Sequence, residues 1–224
     1  MAPTRPKRLV VTSDQPLVAE AIDAALAGRG FDTVLLRWPA TSVPDDQFGA
    51  AMQRGGFAPP DVALLLSDFD RPDRVQGAIR LMSRLPVAWV VLAGAPRGPV
   101  WGCLLEVGAA VVAPISTTLD EVATILVDVA AGRGGTRARD RRELTEAWHT
   151  LRAEQEDLAF RVASMTPRET DVLKLLYAGT PVRMIATQLE VSEATVRSQV
   201  KRVLRKLDVR SQLAAVAAFE GVQP

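Results

Sequence analysis

The sequence predicts an α/β domain with a parallel, doubly wound sheet, then a long helix, then a small all-α domain of four helices. Short apolar runs alternate with segments of helical period between residues 8 and 130. A polar stretch of helical period follows, and the last quarter carries three short apolar-periodic segments separated by turn signals. A chain of 224 residues is long enough to form two hydrophobic cores.

The first domain is predicted from runs that are apolar throughout, without polar alternation. Such strands belong to a sheet covered on both faces, so we expect a five-stranded parallel sheet with any functional cleft at the carboxyl ends of its strands. The predicted strands lie at 9–11, 33–36, 62–66, 87–92 and 110–113, and the predicted helices at 17–26, 48–54 (weakly), 75–85, 101–107 and 119–129.

The long helix is predicted over residues 136–164, after a glycine-rich breaker at 132–135. Its apolar positions are spaced four and three apart, which is the spacing of a heptad seam. We interpret it as a dimerising or domain-spacing helix, although the same stripe could pack on the chain's own domains. The seam comprises Leu144, Trp148, Leu151, Gln155, Leu158, Val162 and Met165.

The last domain begins with a capping box. Thr166 and Glu169 are spaced so that each side chain satisfies a free backbone N–H, and Pro167 stands where its missing N–H costs nothing. A second helix is predicted near 182–189, Ser192 caps a third that runs to about 207, and a fourth ends near 219.

The third helix of this domain has an apolar stripe and a cationic face. Its basic residues fall between the apolar positions that recur at helical spacing. An amphipathic helix with a solvated charged face is the simplest interpretation. Because a short helix and a tight turn precede it, a helix-turn-helix that enters the DNA major groove is favoured.

This segment resembles the helix-turn-helix of LuxR/NarL-type bacterial regulators, the GerE-like domain. The matching motifs are Thr166-Pro167-Arg168-Glu169, Ile185-Ala186, Ser192-Glu193-Ala194-Thr195-Val196-Arg197, and Leu204-Arg205-Lys206-Leu207 followed by Val209 and Ser211. The resemblance implies base-edge contacts by Arg197, Ser198 and Lys201. It implies positions nearer to phosphates for Thr195, Gln199, Arg202 and Lys206. This chain departs from the family at Glu190, where a glycine is usual, and at Met184, where glutamate is common.

The resemblance extends to the rest of the chain. Ser13-Asp14-Gln15-Pro16-Leu17-Val18 looks like the loop after the first strand of response regulators, so the first domain resembles a flavodoxin-like receiver. We therefore expect a pseudo-receiver at 1–131, a linker helix at 132–164 and a LuxR-type DNA-binding domain at 165–224. The family's last helix is a dimer surface, here offered by Leu213, Val216 and Ala217, which could equally pack in the core.

A conventional receiver needs an acidic pair, an aspartate nucleophile, a hydroxyl and a lysine. Aligned without gaps, the acidic pair becomes Ser13 and Asp14, and Leu66 takes the nucleophile's position. Ala93 replaces the hydroxyl residue, and no lysine lies between Lys7 and Lys174. We therefore predict a pseudo-receiver whose residual acid is Asp14. A shift of two residues would instead make Asp68 the phosphoacceptor, against its simpler interpretation as part of a solvated acidic loop.

The sequence contains no pattern for a catalytic site, a metal site or a cofactor. One cysteine, Cys103, excludes an internal disulfide, and no apolar run approaches the roughly 18 residues that span a bilayer. We expect a cytoplasmic, dimeric regulator, not an enzyme, that binds an inverted-repeat promoter site in double-stranded DNA. Protein or small-molecule input would act on the pseudo-receiver, where Trp89 and Trp101 could line a ligand pocket but more simply fill a core.

Two alternatives remain open at this point. One keeps the DNA-binding domain and restores phosphorylation at Asp68. The other makes the chain a protein-interaction adaptor whose helical module does not bind DNA.

Overall fold

The structure, a computed structural model, describes residues 7–38 and 60–220. It divides into two compact units, residues 1–149 and 150–224, and the division falls within one long helix. The predicted helix at 48–54 lies outside the described residues. None of the described helices is both long and apolar enough to cross a membrane.

The first unit is built on a five-stranded parallel sheet in the order β2-β1-β3-β4-β5. This confirms the predicted doubly wound, flavodoxin-like fold. Every residue of the two central strands β3 and β4 is buried, as expected for strands covered on both faces. The strands are β1 Arg8–Ser13, β2 Asp32–Leu35, β3 Val62–Ser67, β4 Trp89–Ala93 and β5 Ala109–Pro114.

Helices cover both faces of this sheet and bury two separate apolar clusters. Alternate residues of each central strand supply the two clusters: Leu65 packs with α2 and α3, whereas Leu64 packs with α1 and α4. Trp89 is buried in the first cluster, and its indole N–H donates to the Leu85 carbonyl, so it fills the core. The helices are α1 Pro16–Ala27, α2 Pro72–Arg84, α3 Pro99–Val107 and α4 Leu119–Ala130.

The long helix α5, Ala138–Ala163, begins as an integral part of the first unit. Leu144 is buried in the core cluster beside Trp89, and its carbonyl oxygen lies against Gly102 of α3. The Arg141 guanidinium donates to the carbonyls of Leu105 at 2.7 Å and Ala109 at 2.8 Å. These bonds tie α5 to the last turn of α3 and to the start of β5.

The apolar stripe of α5 is used within the chain. Leu144 packs in the first unit, while Leu158, Val162 and Met165 pack in a cluster of the second unit, and Gln155 is exposed. These apolar positions therefore contact the chain's own units, and the dimerising or domain-spacing role of the helix stays a prediction.

The second unit contains four further helices, α6 Pro167–Tyr177, α7 Val182–Gln188, α8 Glu193–Leu207 and α9 Gln212–Glu220. The predicted capping box is present: the Thr166 hydroxyl accepts from the Glu169 N–H, and the Glu169 carboxylate accepts from the Thr166 N–H at 2.9 Å. Apolar residues of α6 and α8 hold the unit together through two clusters, centred on Leu173 and Val203 and on Val172 and Val196.

Candidate functional site

Helix α8 presents a row of exposed polar and basic side chains opposite its buried stripe. Val196, Val200, Val203 and Leu207 are buried against α6 and α7. The Ser192 hydroxyl starts the helix by accepting from the Thr195 N–H at 3.1 Å. The exposed row comprises Thr195, Arg197, Ser198, Lys201, Arg202 and Arg205.

The turn before α8 is held by backbone and side-chain bonds. The Val191 N–H donates to the Ala186 carbonyl at 3.0 Å, and the Arg168 guanidinium donates to the Leu189 carbonyl at the end of α7. Glu190 has a φ of 53°, in the left-handed region where a glycine is favoured. The chain thus keeps the tight turn despite its glutamate, at the cost of backbone strain.

The predicted base-edge residues Arg197, Ser198 and Lys201 are exposed together on α8. Among the described residues, the Arg197 guanidinium approaches the exposed Glu193 carboxylate, at 3.4 Å, one turn away on the same helix. Ion pairs this exposed contribute little, so Arg197 is held loosely. All three side chains are available to a ligand that approaches this face.

The predicted phosphate-contact residues differ in their surroundings. Thr195 and Arg202 are exposed, whereas Gln199 is half-buried and its side-chain oxygen has no hydrogen-bond partner among the described residues. The Lys206 ammonium already has internal partners: it lies 2.7 Å from the Glu169 carboxylate and 3.0 Å from the Ser164 carbonyl. Arg205 is not among the predicted site residues but is also exposed, and its position one turn after Lys201 indicates that it belongs to the same row.

The hydrogen bond from Lys206 also affects the ionisation of Glu169. It is the main cause that lowers the pKa of Glu169 below its ordinary value, followed by the hydrogen bond from the Thr166 backbone. Glu169 is therefore ionised at neutral pH although it is buried. A charged pair joins α8 to the start of α6 beneath the cationic face.

Helix α9 offers part of the predicted dimer surface. Leu213 is 79% exposed and Ala217 is exposed, while Val216 packs against the cluster that contains Val172 and Val196. The three residues thus divide between an exposed face and the core.

At the carboxyl edge of the sheet, β3 ends at Ser67, between the two candidate nucleophile positions Leu66 and Asp68. Leu66 pairs in register with Ser13 and is 3% exposed within an apolar cluster, so no carboxylate stands at that position. Ala93 ends β4 and is buried, and Ile115 follows β5 with its N–H bonded to the Ala93 carbonyl at 2.9 Å. Asp14 and Asp68 both lie at this edge, where Arg74 joins them, a contact that no local sequence pattern indicates.

A small cavity of about 220 Å³ lies where β4 and β5 end. Its walls include Ala93, Arg97, Trp101 and Ile115. Trp101 is buried and donates from its indole N–H to the Ala95 carbonyl at 2.9 Å, so it fixes the loop between β4 and α3.

Comparison with known proteins agrees with this arrangement. Residues 163–219 match the model of the family described as bacterial regulatory proteins, luxR family. The nitrate/nitrite response regulator protein NarL of Escherichia coli is 41% identical over 66 residues, which cover 30% of this chain and 31% of that protein. The chain therefore aligns with under a third of that relative.

Other similarities run along nearly the whole chain. The probable transcriptional regulatory protein NarL of Mycobacterium tuberculosis is 28% identical over 221 residues, covering 94% of this chain and 92% of that protein. Among solved structures, RcsB of Salmonella typhimurium matches with a TM-score of 0.45 and 17% identity, covering 97% of this chain and 99% of that one.

The matched residues coincide with α6 to α9 and include the turn and the exposed cationic row. Residues 163–219 are therefore a helix-turn-helix domain of the LuxR family of bacterial regulatory proteins.

Proposed function

We propose that the chain is a sequence-specific transcription regulator of the NarL type that binds double-stranded DNA through α8 and acts without phosphorylation. The exposed cationic row on α8, opposite a fully packed stripe, is the observation that carries this proposal. The major groove admits an α-helix, and basic side chains both neutralise phosphates and recognise base edges.

The individual roles follow the exposure of each side chain. Arg197, Ser198 and Lys201 are proposed to contact base edges, because all three are exposed on one helix that begins with a capped turn. Thr195, Gln199, Arg202 and Lys206 are proposed nearer to phosphates, where contacts fix the position of the helix and not the sequence it selects. The Lys206 ammonium would then contact both the Glu169 carboxylate and a phosphate.

The proposed complex is a homodimer on an inverted repeat. Leu213 and Ala217 leave an exposed apolar face on α9 that a second copy would cover. Two-fold symmetry then places the half-sites about one helical turn of DNA apart. The proposed location is the cytoplasm, where the promoter DNA is, and the proposed domains are 1–131, 132–164 and 165–224.

The first domain is proposed to be a pseudo-receiver that takes protein or small-molecule input. The burial of Leu66 at the nucleophile's position and of Ala93 at the hydroxyl's position supports this view. Magnesium also needs oxygen ligands from several groups, and Asp14 alone of the expected acidic pair remains.

The rival account has Asp68 as a phosphoacceptor, which its place directly after β3 favours. Incubation of the full-length protein with a small phosphodonor and Mg²⁺, followed by intact-mass measurement, separates the two accounts. We expect no added phosphoryl mass. A gain of one phosphoryl group that Asp68→Asn abolishes would establish the rival.

The test of DNA binding uses Arg197→Ala and Lys201→Ala, with Arg71→Ala of the first unit as a control that removes the same charge elsewhere. Each base-edge variant should weaken binding to a selected site by roughly 5- to 100-fold, and the control should change it little. Full binding by both base-edge variants, with folding intact by circular dichroism, would favour the protein-interaction adaptor instead.

A further inference from the structure

Arg74 of α2 lies among three carboxylates at the carboxyl edge of the sheet. Its Nε is 2.8 Å from Asp14, and one terminal nitrogen is 2.8 Å from Asp70 and 3.4 Å from Asp68. The carboxylates come from two loops, one after β1 and one after β3. One guanidinium therefore joins both loops to the first turn of α2.

Asp14 is the group that most needs this cation. Its side chain is 6% exposed, and neither of its oxygens accepts a hydrogen bond from the described residues. The contact with Arg74 is thus an ion pair without hydrogen-bond alignment. A buried carboxylate left without hydrogen bonds or an opposite charge is strongly disfavoured.

Asp68 is confined by the same cluster. One carboxylate oxygen accepts from the Gln15 amide at 3.1 Å and faces Arg74. The other lies so close to Gly94 that a Cβ there would be 2.6 Å away. One oxygen thus has polar partners, and the other lies beside the loop after β4.

We propose that Arg74 is an internal counter-ion that takes the place of a divalent cation at this edge. Carboxylates gathered from separate loops repel each other, and Mg²⁺ is a usual counter-ion for such oxygen ligands. A guanidinium stays charged at all accessible pH values and offers several donors from a fixed plane. Because Arg74 is part of the chain, the charge is balanced at any metal concentration.

This inference deepens the proposed independence from phosphorylation. The loops after β1 and β3 are held in one arrangement by α2, with no metal or phosphoryl group needed to close them. A metal that entered would first have to displace Arg74.

The first experiment uses the unaltered protein. Full-length protein is titrated with Mn²⁺ while the relaxation of water protons is followed, and its melting temperature is compared in MgCl₂ and in NaCl of equal ionic strength. We expect no bound Mn²⁺ and equal melting temperatures. Bound Mn²⁺ that Mg²⁺ displaces and Asp14→Asn abolishes would overturn the proposal.

A second arm removes the guanidinium. All four tryptophans, at 38, 89, 101 and 148, belong to the first unit, so their fluorescence follows the melting of that unit alone. Arg74→Met should lower this melting temperature by roughly 5 to 10 °C. Arg71→Met is the matched control, since Arg71 pairs with Asp73 and both are exposed.

The double variant Arg74→Met with Asp14→Asn shows whether charge is responsible. It should regain much of the lost melting temperature, because the unpaired buried carboxylate is gone. Arg74→Met melting like Arg71→Met, or a double variant with purely additive losses, would overturn the proposal. Failure of the DNA-binding proposal would leave these results unchanged, since they concern the first unit only.

Discussion

Lys206 and Glu169 join the end of α8 to the start of α6 through a contact of 2.7 Å between ammonium and carboxylate. Glu169 also closes the capping box with Thr166, so one carboxylate fixes a helix start and a helix-helix contact together. The Glu169 side chain is 9% exposed and that of Lys206 is 31% exposed. The helix that carries the cationic row is positioned by this pair.

Lys206→Met should therefore destabilise the second unit by about 1 to 2 kcal/mol, because Glu169 would lose its partner while buried. The measurement is denaturant unfolding of the full-length protein, followed by circular dichroism. Tryptophan fluorescence identifies the part of the transition that belongs to the first unit. Lys201→Met, on the exposed row of the same helix, should leave stability unchanged. Equal stability of the two variants would contradict the structural role of Lys206.

The same pair predicts a dependence on pH. The pKa of Glu169 is lowered in the folded state, so its contribution to stability is complete above the unfolded value of 4.5 and is lost as pH falls through the folded value. The stability difference between the unaltered protein and Lys206→Met should be constant from roughly pH 6 to 8 and shrink below about 4.5. A stability difference that instead disappears as pH rises from neutral to about 9 would contradict this assignment.

The turn before α8 offers a stabilising change. Glu190 has a φ of 53°, a conformation that costs a residue with a Cβ about 1 to 2 kcal/mol. Glu190→Gly removes this strain but makes the unfolded chain more flexible, so we expect a net gain of about 0.5 to 1 kcal/mol. Denaturant unfolding of the second unit measures it, and a loss of stability would show that Glu190 makes a compensating contact.

The contact of α5 with α3 predicts a severe effect at one glycine. A Cβ at Gly102 would lie 2.0 Å from the Leu144 carbonyl oxygen, which belongs to a helix backbone and cannot move alone. Gly102→Ala should destabilise the first unit by about 2 kcal/mol or more, as should Leu144→Ala through the cavity it leaves. Gly28→Ala is the control, because a Cβ there meets only ordinary contacts at 3.5 Å. Tryptophan fluorescence during unfolding provides the comparison, and a neutral Gly102→Ala would mean that α5 does not pack here.

Replacing Arg202 and replacing Arg197 should change DNA binding, and its dependence on salt, in different ways. If Arg202 contacts a phosphate, Arg202→Gln weakens binding to all sequences alike and reduces the salt slope by about 1. Arg197→Ala should instead relax the preference at particular base pairs. Binding isotherms at several salt concentrations, on a selected site and on single-base variants of it, distinguish the roles. The opposite pattern would exchange the two assignments.

Local patterns in the sequence predicted the sheet and the helix starts well. Short continuous apolar runs such as 62–66, bounded by turn residues, favour strands covered on both faces, and the spacing of Thr166 and Glu169 favours a capping box by its own chemistry. The exposed row on α8 followed from helical period in the same way. Each of these features depends on residues close together in the chain.

Contacts between distant segments could not be predicted in this way. Arg74 meets Asp14 only because parallel strands bring two loops to one edge, and Lys206 meets Glu169 across 37 positions of the chain. The seven-residue repeat of α5 was also ambiguous, because an apolar stripe shows that something covers it but not what. The packing of α5 on Gly102 depends on a close approach of two helices that the fold creates.

We propose that the unphosphorylated protein binds a specific DNA sequence as a dimer. Selection of genomic DNA fragments by purified full-length protein, without a phosphodonor and at near-physiological salt, tests it most directly, because nonspecific binding weakens there. We predict enrichment of one inverted repeat with half-sites about one helical turn apart. Absence of an enriched sequence until a phosphodonor is added, together with phosphoryl mass on Asp68, would contradict the account.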